Sequence, residues 1–176
     1  TNVDQASRAK RQVKEKTSIY TTEQAEEELS GEETDSRSGY FLEDAIKAVG
    51  EAFILLGETD SARAQFRILL DFFPESDNLD DAQKLIADSY VKDGDMILAG
   101  GDSTDAKVRA GADEKYELAV KEYLKFANVY PQSDLISENY IALGDAYNKL
   151  RRPDEAGKAF ASALGRAKEA EDQAKV

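Results

Sequence analysis

The stretch "LLDFFPES", Leu69 to Ser76, ends an apolar run with an aromatic, a proline, a polar residue and a serine. Fifty-seven residues later "FANVYPQS", Phe126 to Ser133, repeats the pattern. Internal repetition at a fixed period constrains a fold more than composition does. One small supersecondary unit cannot bury its apolar face alone and must stack on its neighbours.

The repetition extends upstream. Phe66 and Ala62 stand eight and twelve residues before Pro74, and Tyr123 and Ala119 stand at the same distances before Pro131. Further back, "IKAVGEAFILLG" from Ile46, "QKLIADSYVKDG" from Gln83 and "YIALGDAYNKLR" from Tyr140 align residue for residue. Each holds a small residue, an acid, another small residue and an aromatic: Gly50-Glu51-Ala52-Phe53, Ala87-Asp88-Ser89-Tyr90 and Gly144-Asp145-Ala146-Tyr147. Pro74 lies 13 residues before Ala87, and Pro131 lies 13 before Gly144. The third unit continues to Ala156 and Phe160 but has no closing proline.

Within these segments apolar residues recur at three and four, as in Ala45, Val49, Ala52, Phe53 and Leu56, which is helical periodicity. Each unit therefore reads as helix, turn, helix. Thr59 or Asp60 offers a cap for one second helix, and Pro153 suits the first turn of another. Pro74 and Pro131 each end a helix, because proline has no amide hydrogen and restricts the residue before it.

These residues resemble the tetratricopeptide repeat family. Gly50, Phe53, Gly57, Ala62, Phe66 and Pro74 carry the resemblance in the first unit, and Ala87, Tyr90, Ala119, Tyr123 and Pro131 in the second. Gly144, Tyr147, Ala156 and Phe160 carry it in the third. The "FPES" and "YPQS" endings look most like the repeats of bacterial envelope proteins, the outer-membrane barrel-assembly lipoproteins and the Tol-associated coordinator of division. The expected fold is an all-α solenoid of three helix–turn–helix units at about 43–76, 80–133 and 137–170, within a domain spanning 41–172.

One departure stands out. Tyr90 and Ala119 are 29 residues apart, against nine from Phe53 to Ala62, so about twenty residues are inserted between the helices of the second unit. Both helices are expected to run on by a turn or two, with a loop near Gly100-Gly101. The resemblance implies a protruding hairpin with a contact patch at Met96, Ile97 and Leu98. The acids Asp93, Asp95, Asp102 and Asp105 do not have the alternate spacing, central glycine and distal glutamate of a calcium loop, so turn chemistry is expected of them and no metal.

Residues 1–40 form a charged arm. A basic start, Arg8, Lys10, Arg11, Lys14 and Lys16, precedes seven acids from Glu23 to Asp35. One reading is two solvated helical pieces, "DQASRAKRQVKEK" and "TTEQAEEEL", followed by a flexible "SGEETDSRSG" linker. The other docks the arm on a neighbouring molecule, with "TSIYTT" able to pair as a strand. The threonine start is expected of a processed or trimmed chain, and the lack of a leading cysteine gives no support to a lipoprotein anchor.

Composition narrows the functions. With no cysteine and no histidine, the chain lacks thiolate chemistry, the usual zinc ligands and the commonest general base. A net charge of −13 repels phosphate backbones and leaves a basic protein surface or a cation as the better electrostatic partner. The longest apolar runs, such as "AFILLG", fall short of the roughly 20 residues of a membrane-spanning helix. Carboxylate groups such as Asp80-Asp81 and Glu26-Glu27-Glu28 read as solvated helix faces rather than as acid–base pairs, so no enzyme and no cofactor are expected.

The resemblance implies a protein-binding groove lined by the first helices. Mapped here, it takes in Asp44, Lys47, Glu51 and Ile54, then Asp81, Lys84, Asp88 and Lys92, then Glu138, Ile141, Asp145, Asn148 and Lys149. Glu51, Asp88 and Asp145 form an acidic ladder, unlike family members that clamp peptide C-termini with basic residues. The acids are equally readable as pairing within the repeats. Two functions follow as expectations. One is an interaction scaffold of the bacterial periplasm or cell surface. The other is a subunit assembling head to tail into a filament, since the third unit lacks a polar, proline-closed cap.

Overall fold

The fold, given by a computed structural model, is described over residues 36–173. Those residues form six helices and no strand: α1 Ser36–Leu56, α2 Thr59–Phe72, α3 Leu79–Gly100, α4 Ala106–Val129, α5 Ile136–Lys149 and α6 Pro153–Gln173. The chain divides between Ala45 and Ile46 into two compact units, the second running to Val176. It is an all-α helical-repeat solenoid in which α2 packs on α3, α3 on α4, α4 on α5 and α5 on α6. The expected arm lies outside the described residues up to position 35. The last four residues of the expected linker, Ser36 to Gly39, lie instead in the first turn of α1.

The repeated phrase builds the same turn twice. Phe73 and Tyr130 donate their amides to the helix carbonyls of Leu69 and Phe126 at 3.1 and 2.8 Å, and the prolines that follow prevent another turn. Ser76 and Ser133 donate back to Phe73 and Tyr130, at 3.0 and 3.2 Å. The hydroxyls of these serines then accept the amides two residues on, Asn78 at 3.2 Å and Leu135 at 3.0 Å. The serine of each phrase is thus a turn-closing acceptor that orients the next first helix.

Inside each hairpin the turn also recurs, with one change. Gly57 has φ 76° and Arg151, at the same repeat position, has φ 60°. In both, the next residue donates to a carbonyl five back, Glu58 to Phe53 and Arg152 to Tyr147, each at 2.9 Å. The left-handed conformation costs a non-glycine residue about 1 kcal/mol, and Arg151 adopts it while pairing with Asp113 at 2.6 Å. Thr59, expected as a cap, is instead the first residue inside α2, and its buried hydroxyl donates to Asp93.

Helix spacing within hairpins is set by aromatic rings laid over small residues. A Cβ placed on Gly50 would lie 2.5 Å from the Phe66 ring, and one on Gly144 would lie 2.4 Å from Phe160. The middle unit has Ala87 with Tyr123 in one buried cluster. Its insert extends the same arrangement by seven residues on each helix. Gly94 lies seven residues after Ala87 and Tyr116 seven before Tyr123, and a Cβ on Gly94 would come within 2.5 Å of the Tyr116 ring. Ala112, seven before Ala119, is fully buried with it. As a result α3 and α4 run to 22 and 24 residues, against 14 for α2 and α5, and meet in a loop after Gly100 capped by Asp105. Gly94 occupies the repeat position of Gly57, so a residue that ends the first helix of one unit is here mid-helix.

The junctions between hairpins differ in chemistry. Between α2 and α3, Arg63 is 3% exposed; it donates to Ser89 at 2.9 Å, pairs with Asp93 at 2.9 Å and stacks over the Tyr90 ring at 4.1 Å. Between α4 and α5 the same repeat positions hold Val120, Ala146 and Leu150, an apolar contact.

Two stability predictions follow from this packing. Gly94→Ala should lower stability by about 1–2 kcal/mol, because overpacking against Tyr116 exceeds the ~1 kcal/mol gained in helix propensity. Gly165→Ala, where a Cβ meets nothing within 4 Å, should raise it by up to about 1 kcal/mol. Opposite shifts of the urea midpoint are the check; shifts in one direction would defeat the packing account. Arg63→Val should cost about 3–5 kcal/mol by leaving Asp93 buried without its cation. Adding Asp93→Leu, which imports the chemistry of the next junction, should recover most of that loss in the same titration.

Candidate partner-binding groove

The first helices α1, α3 and α5 carry the residues expected to line a groove, and the structure sorts them into groups. Lys47 pairs with Asp81 and reaches Asn78 at 3.3 Å. Lys84, at the same position one unit on, pairs with Glu138 at 2.8 Å and with Asp88 at 3.0 Å. A lysine of one unit therefore bridges to an acid of the next. The third unit has Ile141 at the lysine position, and the ladder of bridges stops there. Asp44 is exposed and belongs to the other compact unit.

Asp88 is the most heavily engaged of the expected acidic ladder. Besides Lys84 it accepts the Tyr123 hydroxyl at 2.5 Å. Burial pushes the Tyr123 phenol well above its ordinary range, and the neighbouring Asp88 charge adds to this. Burial pulls the Lys84 ammonium down, but Glu138 and Asp88 outweigh it and hold the value above that of a free lysine. Glu51 and Asp145, the other two rungs, are exposed and form no ion pair among the described residues. Asn148 is likewise exposed.

The two remaining lysines leave the groove line. Lys92 donates to the backbone carbonyl of Ile54 in the preceding unit. Lys149 pairs with Asp95 of the insert at 2.6 Å and lies 5.3 Å from the Tyr116 ring. With Arg151 on Asp113 at 2.6 Å and Arg152 on Glu117 at 3.1 Å, it ties the turn of the third hairpin to the extended helices. Sequence reasoning missed this clasp, as it missed the buried Arg63 cluster. The seven-residue spacing of Ala112, Tyr116, Ala119 and Tyr123 is the signal that would have shown the inserted helices to be a packed extension of the hairpin.

Of the insert patch, Met96 is 39% exposed, while Ile97 and Leu98 are half-buried. Ile97 faces α4, its Cγ2 3.8 Å from a Cβ placed on Gly111. The four insert acids go to four separate tasks. Asp93 holds Arg63, and Asp95 accepts from Tyr116 at 2.7 Å as well as from Lys149. Asp102 accepts from the Thr104 amide and hydroxyl at 2.8 and 2.7 Å, and Asp105 caps α4 through the Lys107 amide at 2.7 Å.

Both raised values make alkali destabilising. For Tyr123 and Lys84 the folded state holds its proton to higher pH than the unfolded chain, so folding stability is complete below about pH 10 and falls as pH rises beyond it. Chemical denaturation at pH 8 to 11 should show this decline, to which the Tyr116 and Tyr130 phenols, also raised by burial, contribute, and Tyr123→Phe should make it shallower. An equal slope in the variant would remove Tyr123 as a source.

Residues 49–76, from Val49 of the first helix to the serine of the first closing phrase, match the family model of the tetratricopeptide repeat. No curated protein matches the chain. The first hairpin is thus similar to a repeat that mediates protein–protein interaction.

Proposed function

We propose that this protein is a non-catalytic binding scaffold of a bacterial cell envelope, placed in the periplasm or at the cell surface. Its groove takes a partner segment rich in lysine or arginine. One observation carries the choice of partner chemistry. Lys47, Lys84, Lys92 and Lys149 are all engaged inside the protein, whereas Glu51 and Asp145 offer exposed carboxylates. A groove whose cations are occupied cannot clamp a carboxylate terminus, and its outstanding charge is negative. The net charge of −13 draws a basic partner from a distance. Met96, on the insert, adds an exposed apolar contact. The envelope placement is supported by the likeness of the "FPES" and "YPQS" endings to envelope repeats.

Fluorescence anisotropy with labelled extended peptides of opposite charge tests the groove. Cationic peptides should bind and weaken with added salt, and anionic ones should not. The pair Glu51→Lys and Asp145→Lys should lower cationic affinity at least about tenfold, or 1.4 kcal/mol. Equal binding of both peptide types, or indifference to the double reversal, would reject the assignment.

A further inference from the structure

The α4–α5 junction has a near-copy in two surfaces that no described residue joins. In that junction Val120 and Tyr123 of α4 share a buried cluster with Leu143 and Ala146 of α5, and Leu150 packs against it. By repeat position, Val120 and Tyr123 correspond to Gly157 and Phe160 on the back of α6. Leu143, Ala146 and Leu150 correspond to Val49, Ala52 and Leu56 on the front of α1. Every counterpart is small or apolar. The front of α3 could not substitute, since Asp93 stands at the position of Leu56 and the back of α6 has no arginine to receive it.

Among the described residues these faces are incompletely covered: Val49, Ala52 and Leu56 are half-buried, and exposed apolar side chains stand beside them. Phe66 and Tyr123 are buried, yet Phe160 at the same repeat position is only partly so. Four residues further along that face Leu164 is 57% exposed, and a Cβ on Gly157 would meet nothing within 4 Å. At the other end Leu55 is 84% exposed. Its counterparts Lys92 and Lys149 both reach back to the preceding unit, to Ile54 and Asp95. Among the described residues from Ile46 onward, Leu55 and Leu164 are the two most exposed large apolar side chains, and they mark opposite ends of the row of repeats.

We infer that these are the two halves of one interface: the front of α1 in one copy docks on the back of α6 in a second copy, continuing the α4–α5 junction between molecules. The contact is heterologous, so each added copy leaves one free face of each kind and assembly is open-ended. Val49 and Ala52, half-buried in one copy, then gain the cover that Leu143 and Ala146 already have within the chain. Gly157 lets the two helices approach closely, in the place where the α2–α3 junction needs the length of an arginine.

Sedimentation of the full chain over a concentration series reaching about 1 mM tests the contact. The average mass should rise with concentration and pass beyond a dimer. Leu55→Glu and Leu164→Glu should each hold the chain as a monomer with unchanged circular dichroism and melting temperature, because both side chains are exposed. Mixed in equal amounts, the two variants should form a 1:1 dimer and nothing larger, since one contributes an intact α6 and the other an intact α1. A parent that stays monomeric throughout, association that survives both substitutions, or a mixture that fails to pair would each overturn the proposal. So would a lower melting temperature for monomeric Leu164→Glu, which would mean that residues of the same chain cover α6. Neither substitution lies at Glu51 or Asp145, so cationic-peptide binding stands or falls separately.

Discussion

Everything in this fold depends on how closely two helices of a hairpin approach, and a ring over a small residue decides that distance. Phe66 over Gly50 and Phe160 over Gly144 occupy space that a Cβ would claim. The ring fills the inter-helix gap to interior density, and the absent side chain lets the backbones close on it. With the spacing fixed, acids on the outer side of the first helices meet lysines of the neighbouring unit, and the turns fall where their serines can close them. The insert obeys the same rule, since Tyr116 over Gly94 repeats the contact one heptad further along.

The junctions show the protein using two chemistries for one geometry. Arg63, Ser89 and Asp93 join α2 to α3, where Val120, Ala146 and Leu150 join α4 to α5. A buried ion pair contributes little net stability against an apolar contact of the same volume. It does penalise wrong neighbours: an apolar back placed on α3 would leave Asp93 without a cation, and an apolar front placed on α2 would strand Arg63. The polar junction thereby fixes the order of units, while the apolar one supplies burial without that discrimination.

The repeat was legible because it rests on residue types with few substitutes. Glycine or alanine under a ring, a proline after the helix and a serine two residues later recur at fixed distances, and the structure places each in one role. Helix extension through the insert was legible from the loop signals at Gly100-Gly101. The start of α6 at Pro153 was legible too, but the cap of α2 was not, because Thr59 has two satisfactory hydrogen-bonding fates, and tertiary contact with Asp93 outcompetes the local one. The groove was legible only in part. Repeat positions predicted which acids share a line, but whether a carboxylate is engaged depends on which partners come within reach: Asp88 meets Lys84 on its own helix and Tyr123 of α4, whereas among the described residues Glu51 and Asp145 form no ion pair. The clasp of Lys149, Arg151 and Arg152 on Asp95, Asp113 and Glu117 is a contact between distant segments, and no local pattern encodes it.

That clasp bears on why so acidic a chain folds. Acids outnumber bases by 36 to 23, and like charges on a compact surface repel. Seven of the bases lie at the seams between units. Lys47, Lys84, Lys92, Arg63, Lys149, Arg151 and Arg152 all bridge one unit to the next. Cations at the seams hold acidic hairpins together where repulsion would otherwise part them, and their engagement there leaves Glu51 and Asp145 without an ion pair among the described residues. The same distribution that stabilises the stack therefore underlies the negative character proposed for the groove.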